Sequence, residues 1–224
     1  YEAKYPNIIK PLYEKENQWV KGRRGSAVFN FPRARGKYIA MCEGDDYWTD
    51  PLKLQKQVEF LEENPDYGLV HTNFVINNTK TGIKQISNGY FLNGQTIEDY
   101  LVGKFHIATL TTCFRKDLLD KIDSSYLKQN FSMGDHPMWI EFMRFSKIKY
   151  LSDTTATYNI IRNSASRPVD KEKKILFQKN IWEVRLYFAD KYGYKNLLNV
   201  ITKNILFYES MLLLTQRRFT KSIN

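Results

Sequence analysis

The stretch from Tyr38 to Pro51 constrains the fold more than any other part of the chain. Tyr38-Ile39-Ala40-Met41-Cys42 is a continuous apolar run that leads directly into Glu43-Gly44-Asp45-Asp46, and Tyr47-Trp48-Thr49-Asp50-Pro51 follows. A short apolar run bounded by turn residues reads as a buried strand, and such a strand delivers its last residues rigidly to the edge of a sheet. Three carboxylates crowded there repel one another unless a proton or a divalent cation neutralises them. Mg²⁺ or Mn²⁺ binds through one or two carboxylates and leaves its other positions to water and substrate phosphates, which points to a nucleoside-diphosphate substrate. The plainer reading is an acidic turn capping the next helix. It accounts for Thr49 and Asp50 but not for Glu43, Asp45 and Asp46.

The rest of the chain alternates α and β signals. Ile8 to Tyr13 reads as a strand and Gly25 to Arg35 as a short irregular helix. After Pro51, which suits a first helical turn, Leu54, Val58 and Leu61 mark the apolar face of a helix that Asn64-Pro65 ends. Gly68 to Ile76 reads as a strand, Asn77 to Gly82 as a turn, Thr96 to Val102 as a short helix, and Thr109 to Phe114 and Thr155 to Tyr158 as strands. Val169 to Asn224 reads as two helices joined near Tyr192-Gly193-Tyr194. No internal repeat is present.

The order strand, Glu-Gly-Asp-Asp, Tyr-Trp, Asp-Pro and then a helix opening Leu52-Lys53-Leu54-Gln55 resembles the metal-binding segment of family 2 glycosyltransferases. Glu43-Gly44-Asp45 corresponds to that family's DXD-type motif with Glu for the first Asp, and Asn30, Ala34 and Gly36 match its Asn-x-x-x-Ala-x-Gly run. The resemblance covers most of Tyr5 to Ser166. It implies an α/β fold of GT-A type, a mixed sheet flanked by helices, occupying residues 1–168, with residues 169–224 as a helical extension. It also implies a nucleotide-sugar donor, Mn²⁺ or Mg²⁺ as cofactor held by Glu43, Asp45 and Asp46, and inversion at the anomeric carbon. The chain opens in Tyr1-Glu2-Ala3-Lys4-Tyr5-Pro6, which looks like the end of a helix stopped by proline. The resemblance therefore implies a preceding segment with the first strands and the acidic residue that contacts the nucleoside base.

A second constellation is Gly134-Asp135-His136-Pro137-Met138-Trp139, ahead of an apolar stripe of Met138, Trp139, Phe142 and Phe145. Position alone makes Asp135 a helix N-cap. In the family a Gly-Asp here supplies the carboxylate that deprotonates the acceptor hydroxyl, and Asp135 matches it. His136 is a secondary candidate, since imidazole titrates near neutrality. Tyr47 and Trp48 can stack on a sugar, although aromatics beside a buried strand are more often core. Tyr158 to Ser166 resembles the family's Tyr-Arg-x-His-x-x-x-Ser segment, but Asn159 stands for the Arg and Ile161 for the His. That leaves Arg162 to pair with phosphate oxygens or to be an exposed loop residue.

A net charge of +10 calls for an anionic partner without choosing one. The aromatic content of 15% excludes a disordered chain. Cys42 and Cys113, both in apolar runs, read as reduced core residues, and with no secretory pattern and no uninterrupted apolar run long enough to span a bilayer the expectation is cytoplasmic. Leu197, Leu198, Ile201, Ile205 and Leu212 recur at helical spacing ahead of Arg217, Arg218 and Lys221. That pattern suits a packed helix, or a basic helix lying on the inner face of a membrane where a lipid-linked acceptor resides.

Three function classes remain. The first is a glycosyltransferase acting on a saccharide or lipid-linked acceptor, in bacterial surface polysaccharide assembly. The second is a two-metal nuclease or phosphatase; it predicts clustered ligands, whereas His71, His106 and His136 are scattered in sequence, so nucleic acid is not expected as a partner. The third is a non-catalytic module binding carbohydrate or a membrane surface.

Overall fold

The computed structural model describes residues 1–16, 18, 26–87, 95–161, 164 and 168–221, with side chains described to 216. Two compact units divide at Arg35/Gly36. In the first, Tyr5 N–H bonds the Tyr1 carbonyl at 2.8 Å, a single helical turn ahead of Pro6. The strand expected over Ile8 to Tyr13 does not form. Ile8, Leu12 and Tyr13 are exposed, so no burial rewards strand pairing. The irregular helix is present as a π-helical turn over Ser26–Asn30 followed by α1 (Phe31–Arg33).

The second unit is built on one mixed sheet. Its strands are β1 (Tyr38–Ala40), β2 (Tyr47–Trp48), β3 (Tyr67–Asn78), β4 (Lys84–Ile86), β5 (Cys113–Arg115) and β6 (Lys147–Ile160). The order is β1-β5-β3-β6-β2, with β4 pairing β3. The long central pair, β3 and β6, is parallel, and every other pairing is antiparallel. Helices α2 (Lys53–Glu63), α3 (Ile97–Leu101), α4 (Leu118–Lys121) and α5 (Asp135–Phe145) belong to this unit, as do α6 (Lys171–Lys191) and α7 (Leu198–Lys221).

Local chemistry explains most boundaries. Thr96 caps α3 by accepting from Asp99 N–H at 3.1 Å. Asn78 Oδ1 accepts from Lys80 N–H at 3.1 Å and Thr81 N–H at 3.3 Å, which fixes the turn after β3. Gly68 is required at the start of β3, because a Cβ there would lie 2.3 Å from Ser146 Oγ and 2.7 Å from a Leu118 methyl. Behind the sheet, Phe114 of β5 meets Trp139 and Phe142 of α5 at ring separations of 5.9 Å and 4.9 Å. All three rings are buried. Each contributes about 0.5–1.5 kcal/mol per ring contact beyond the area it buries.

Several expectations need correction. The strand read as Tyr38 to Cys42 ends at Ala40, and Cys42 is exposed while Cys113 alone is buried. The buried face of α2 is Lys53, Gln57 and Leu61, leaving Leu54 exposed. Thr109 to Thr111 forms a 3₁₀ turn rather than the start of a strand. There the Thr111 and Thr112 hydroxyls donate back to the carbonyls of Ala108 and Thr109, at 2.7 Å and 2.8 Å, and bend the chain. Phe145 is exposed at the end of the α5 stripe. Helix α6, which opens the expected helical extension, packs on α3 and α5. Finally, Lys195–Gln216 is long and apolar enough to cross a membrane by length and composition, with a mean hydropathy of 1.3. The sequence reading missed this because scattered lysines interrupt the run.

Candidate active site

The acid loop leaves β1 and is tied to the far side of the sheet by β6. Asn159 N–H donates to Asp46 Oδ1 at 2.8 Å, and Asn159 Nδ2 donates to the Asp45 carbonyl at 2.6 Å. The remaining acceptor on this side chain, Oδ1, takes a 2.7 Å bond from Asn77 Nδ2. Asn159 thus clamps the loop between two strands, a structural use for the residue that departs from the family pattern.

The carboxylates are electrostatically unfavourable where they stand. Burial pushes Glu43 up to about 7, and the neighbouring Asp135 and Asp46 carboxylates add to that effect. Burial likewise pushes Asp46 up to about 6, helped by Asp45 and opposed by the bond from Asn159. Glu43 itself keeps solvent access.

Asp135 is the first residue of α5, and Gly134 takes the N-cap position. Thr109 Oγ1 donates to Asp135 Oδ2 at 2.6 Å, and the His136 N–H bonds Oδ1 at 2.8 Å. Each carboxylate oxygen is positioned by one bond and retains a lone pair for a substrate. Thr109 also works against the upward push of burial on Glu43. The 3₁₀ turn that replaces the expected strand is what brings Thr109 to Asp135.

The same turn anchors an aromatic platform. Trp48 Nε1 donates to the Leu110 carbonyl at 2.9 Å, and the Lys53 ammonium lies 4.6 Å from the indole centroid. Lys53 is buried, bonds Gln57 Oε1 at 2.7 Å, and burial pushes it down to about 8. Gln57 in turn donates to the carbonyls of Val70 and Thr111 at 3.1 Å and 2.8 Å. Trp48 and Tyr47 remain 37% and 45% exposed, so they face solvent rather than the core.

His136 does not face the cleft. Its ring is buried with Nδ1 2.7 Å from the Tyr100 hydroxyl, and burial followed by Arg185 holds its pKa well below the usual histidine value. The direct substrate contact read for it from sequence gives way to a place in the core. Arg162 lies outside the described residues. Thr109 and Asn159 are the neighbours that sequence reasoning does not find: β propensity assigns the threonine to a strand, and nothing in sequence spacing brings Asn159 to the acid loop.

Glu43 and Asp46 offer oxygen donors of the kind that a hard divalent cation takes. Among the described residues no group of three or more His, Cys, Asp or Glu side chains converges on a metal-binding point. Two carboxylates are sufficient for Mg²⁺ or Mn²⁺ when phosphates and water complete the shell. The raised proton affinities of Glu43 and Asp46 come first from burial, with the neighbouring carboxylates adding to it.

A mixed, helix-flanked sheet with carboxylates gathered at the end of an edge strand and at a helix start defines a GT-A type domain. The chain matches Glycosyl transferase family 2 over residues 4–123 and belongs to that family. It is 46% identical over 66 residues to an uncharacterized protein of Mycobacterium bovis and to one of Mycobacterium tuberculosis, covering 30% of this chain and 18% of each relative. Over 78 residues it is 37% identical to the "Putative glycosyltransferase EpsE" of Bacillus subtilis, covering 34% of this chain and 26% of that protein. The matched stretch is thus a minor part of these relatives' length. Family membership supports a role in glycosyl transfer and implies a nucleotide-sugar donor and an acceptor.

Proposed function

We propose that the chain carries the metal and acceptor side of a metal-dependent, inverting glycosyltransferase. The observation that carries the reading is the Asp135 carboxylate held open by Thr109 at the start of α5, with the Asp46 and Asp135 carboxylates close enough for each charge to raise the proton affinity of Glu43 beyond the effect of burial. In this reading Glu43 and Asp46, with Asp45 beside them, hold Mn²⁺ or Mg²⁺. When bound, the ion neutralises charge that develops on the departing nucleoside diphosphate. Asp135 accepts the proton of the acceptor hydroxyl as its oxygen attacks the anomeric carbon and the bond to the donor phosphate breaks. Thr109 aims the carboxylate, so the base enters the reaction already oriented. Trp48 offers an indole face for a sugar ring to stack on, with Tyr47 beside it.

The acceptor we favour is a saccharide, free or lipid-linked, in the assembly of bacterial surface polysaccharide at the cytoplasmic face of the membrane. Exposed Val200, Leu206, Phe207, Leu213 and Leu214 on α7, ahead of the basic Arg217, Arg218 and Lys221, support a peripheral contact with an anionic bilayer. A panel of nucleotide sugars incubated with Mn²⁺ and saccharide acceptors tests the reaction. Transfer with inverted configuration, abolished by EDTA and restored by Mn²⁺, is expected; metal-independent transfer contradicts the metal assignment. Co-sedimentation with phosphatidylglycerol vesicles, lost in Leu206→Glu/Leu213→Glu, tests the membrane contact. Equal sedimentation of that variant contradicts it.

A further inference from the structure

Helix α2 turns a polar pair into the core. Lys53 and Gln57 are both buried, one helical turn apart on the face that also buries Leu61. Among the described residues no carboxylate pairs with the Lys53 ammonium. A buried ammonium without an anion is costly, and replacing buried polar partners by apolar side chains of similar size often costs nothing. Packing alone therefore gives no reason for the pair, and the reason lies in what it bonds.

Those bonds lead to the turn that carries Thr109. Strands β3 and β5 pair as far as Val70 and Cys113, and beyond that pair the chain ahead of β5 bends away into the 3₁₀ turn Thr109–Thr111. Gln57 spans the opening, its Nε2 donating to the Val70 carbonyl at 3.1 Å and to the Thr111 carbonyl at 2.8 Å. A glutamine amide can face either way round. An ammonium only donates and a carbonyl only accepts, so Lys53 on Oε1 at 2.7 Å fixes Nε2 towards the two carbonyls. The contacts then close a ring. Leu110, the residue before Thr111, accepts from Trp48 Nε1 at 2.9 Å, and the Trp48 ring centroid lies 4.6 Å from the Lys53 ammonium. From the other end of the turn, Thr109 Oγ1 reaches Asp135 Oδ2 at 2.6 Å.

We propose that Gln57 and Lys53 are positioning residues for the transfer step: from the core side of α2 they fix the 3₁₀ turn, and through Thr109 the turn aims Asp135. The role rests on the reading of Asp135 as the base of a glycosyltransferase. Neither residue touches substrate, since both are closed to solvent. Trp48 follows the turn rather than holding it, because its bond is to a backbone that Gln57 already ties to β3. A displaced turn moves the base and the stacking face together, while the acid loop stays fastened to β6 by Asn159. The signature of lost positioning is thus a fall in kcat and a rise in acceptor KM, with donor KM unchanged.

The test compares Gln57→Met with Leu61→Ala, which opens a cavity on the same buried face of α2 and removes none of these bonds, each assayed well below its own thermal midpoint. In Gln57→Met, kcat should fall about 10–10²-fold and acceptor KM should rise several-fold, with donor KM unchanged. Lys53→Met leaves the amide its donors but frees it to turn over, so it should show the same pattern with a smaller loss, and it carries the comparison if Gln57→Met does not fold. Leu61→Ala should keep its kcat. A second readout needs no turnover. In ¹H–¹⁵N NMR spectra the Trp48 indole N–H and the His136 amide N–H, which bonds Asp135 Oδ1 at 2.8 Å, should both shift in Gln57→Met and hold their places in Leu61→Ala. Equal kcat loss in Gln57→Met and Leu61→Ala, or resonances that Gln57→Met leaves in place, would overturn the proposal. Resonances that move in Gln57→Met, in a protein whose unaltered form transfers no sugar from any nucleotide sugar, would uphold the grip on the turn and count against the transferase reading.

Discussion

Asp135 and Glu141 stand on the same helix, and their surroundings are opposite. Glu141 is fully buried and saturated: it accepts from the Tyr192 hydroxyl, from Asp123 N–H at 3.3 Å and from Arg144 Nη1 at 3.3 Å, with Lys191 Nζ at 3.7 Å. Asp135 has two neutral donors, and its charge adds to the raised proton affinity of Glu43. Its sequence neighbour His136 keeps one buried nitrogen unpaired. Glu141 therefore fastens the second half of α5 to the end of α6, while the first turn of α5 is left with a polar group unmatched. Complete satisfaction marks a group retained for stability, and incomplete satisfaction next to a concavity marks one reserved for a ligand.

The contrast can be broken from either end. The largest expected effect is Asp135→Asn. It keeps the shape and the acceptor for Thr109 but removes the base, so kcat should fall about 10²–10⁴-fold with little change in thermal midpoint. A midpoint drop as large as the activity loss suggests would give Asp135 the role of Glu141. Conversely, Glu141→Leu should cost about 3 kcal/mol in urea unfolding, because it leaves the Tyr192, Lys191 and Arg144 donors without their acceptor. Transfer by the fraction that remains folded should be unchanged.

A third effect is smaller and depends on pH. Glu43 and Asp46 hold their protons more tightly in the folded chain than in the unfolded one. Their contribution to stability is therefore complete below the ordinary carboxyl range and is lost as pH rises through about 6 and then about 7. Glu43→Gln should flatten that fall, raising the midpoint of the metal-free protein above neutrality by about 2–4 °C after allowance for solvent screening. Metal affinity should run the other way and grow across the same interval, because the ligands bind as carboxylates. Smallest is Trp48→Ala, expected to raise the acceptor KM several-fold, an effect of about 1 kcal/mol, with kcat nearly unchanged. A fall in kcat instead would make Trp48 a prop for the 3₁₀ turn.

The fold was legible where one physical signal dominated. The α2 helix, the turn ending in Gly82, the Thr96-capped α3 and the two C-terminal helices all follow from periodicity and capping. Misreadings arose where side chains bonded their own backbone or where tertiary burial overrode pattern. Thr111 and Thr112 turn the chain that β propensity would extend, and Lys53 and Gln57 take core positions because each finds a buried partner. At the candidate site, Glu43, Asp46 and Asp135 were legible as carboxylates at a strand end and a helix start. The bond from Thr109 to Asp135 and the clamp by Asn159 were not, because these contacts span long stretches of sequence.

Calorimetric titration of UDP and GDP, each with and without Mn²⁺, into the protein and into Asp46→Asn tests the central claim most directly. The account predicts binding that requires the metal, strengthens as pH rises from about 5.5 to about 7.5 as the carboxyls ionise, and is lost in Asp46→Asn. Nucleotide binding of equal strength without metal, or undiminished in that variant, would contradict it.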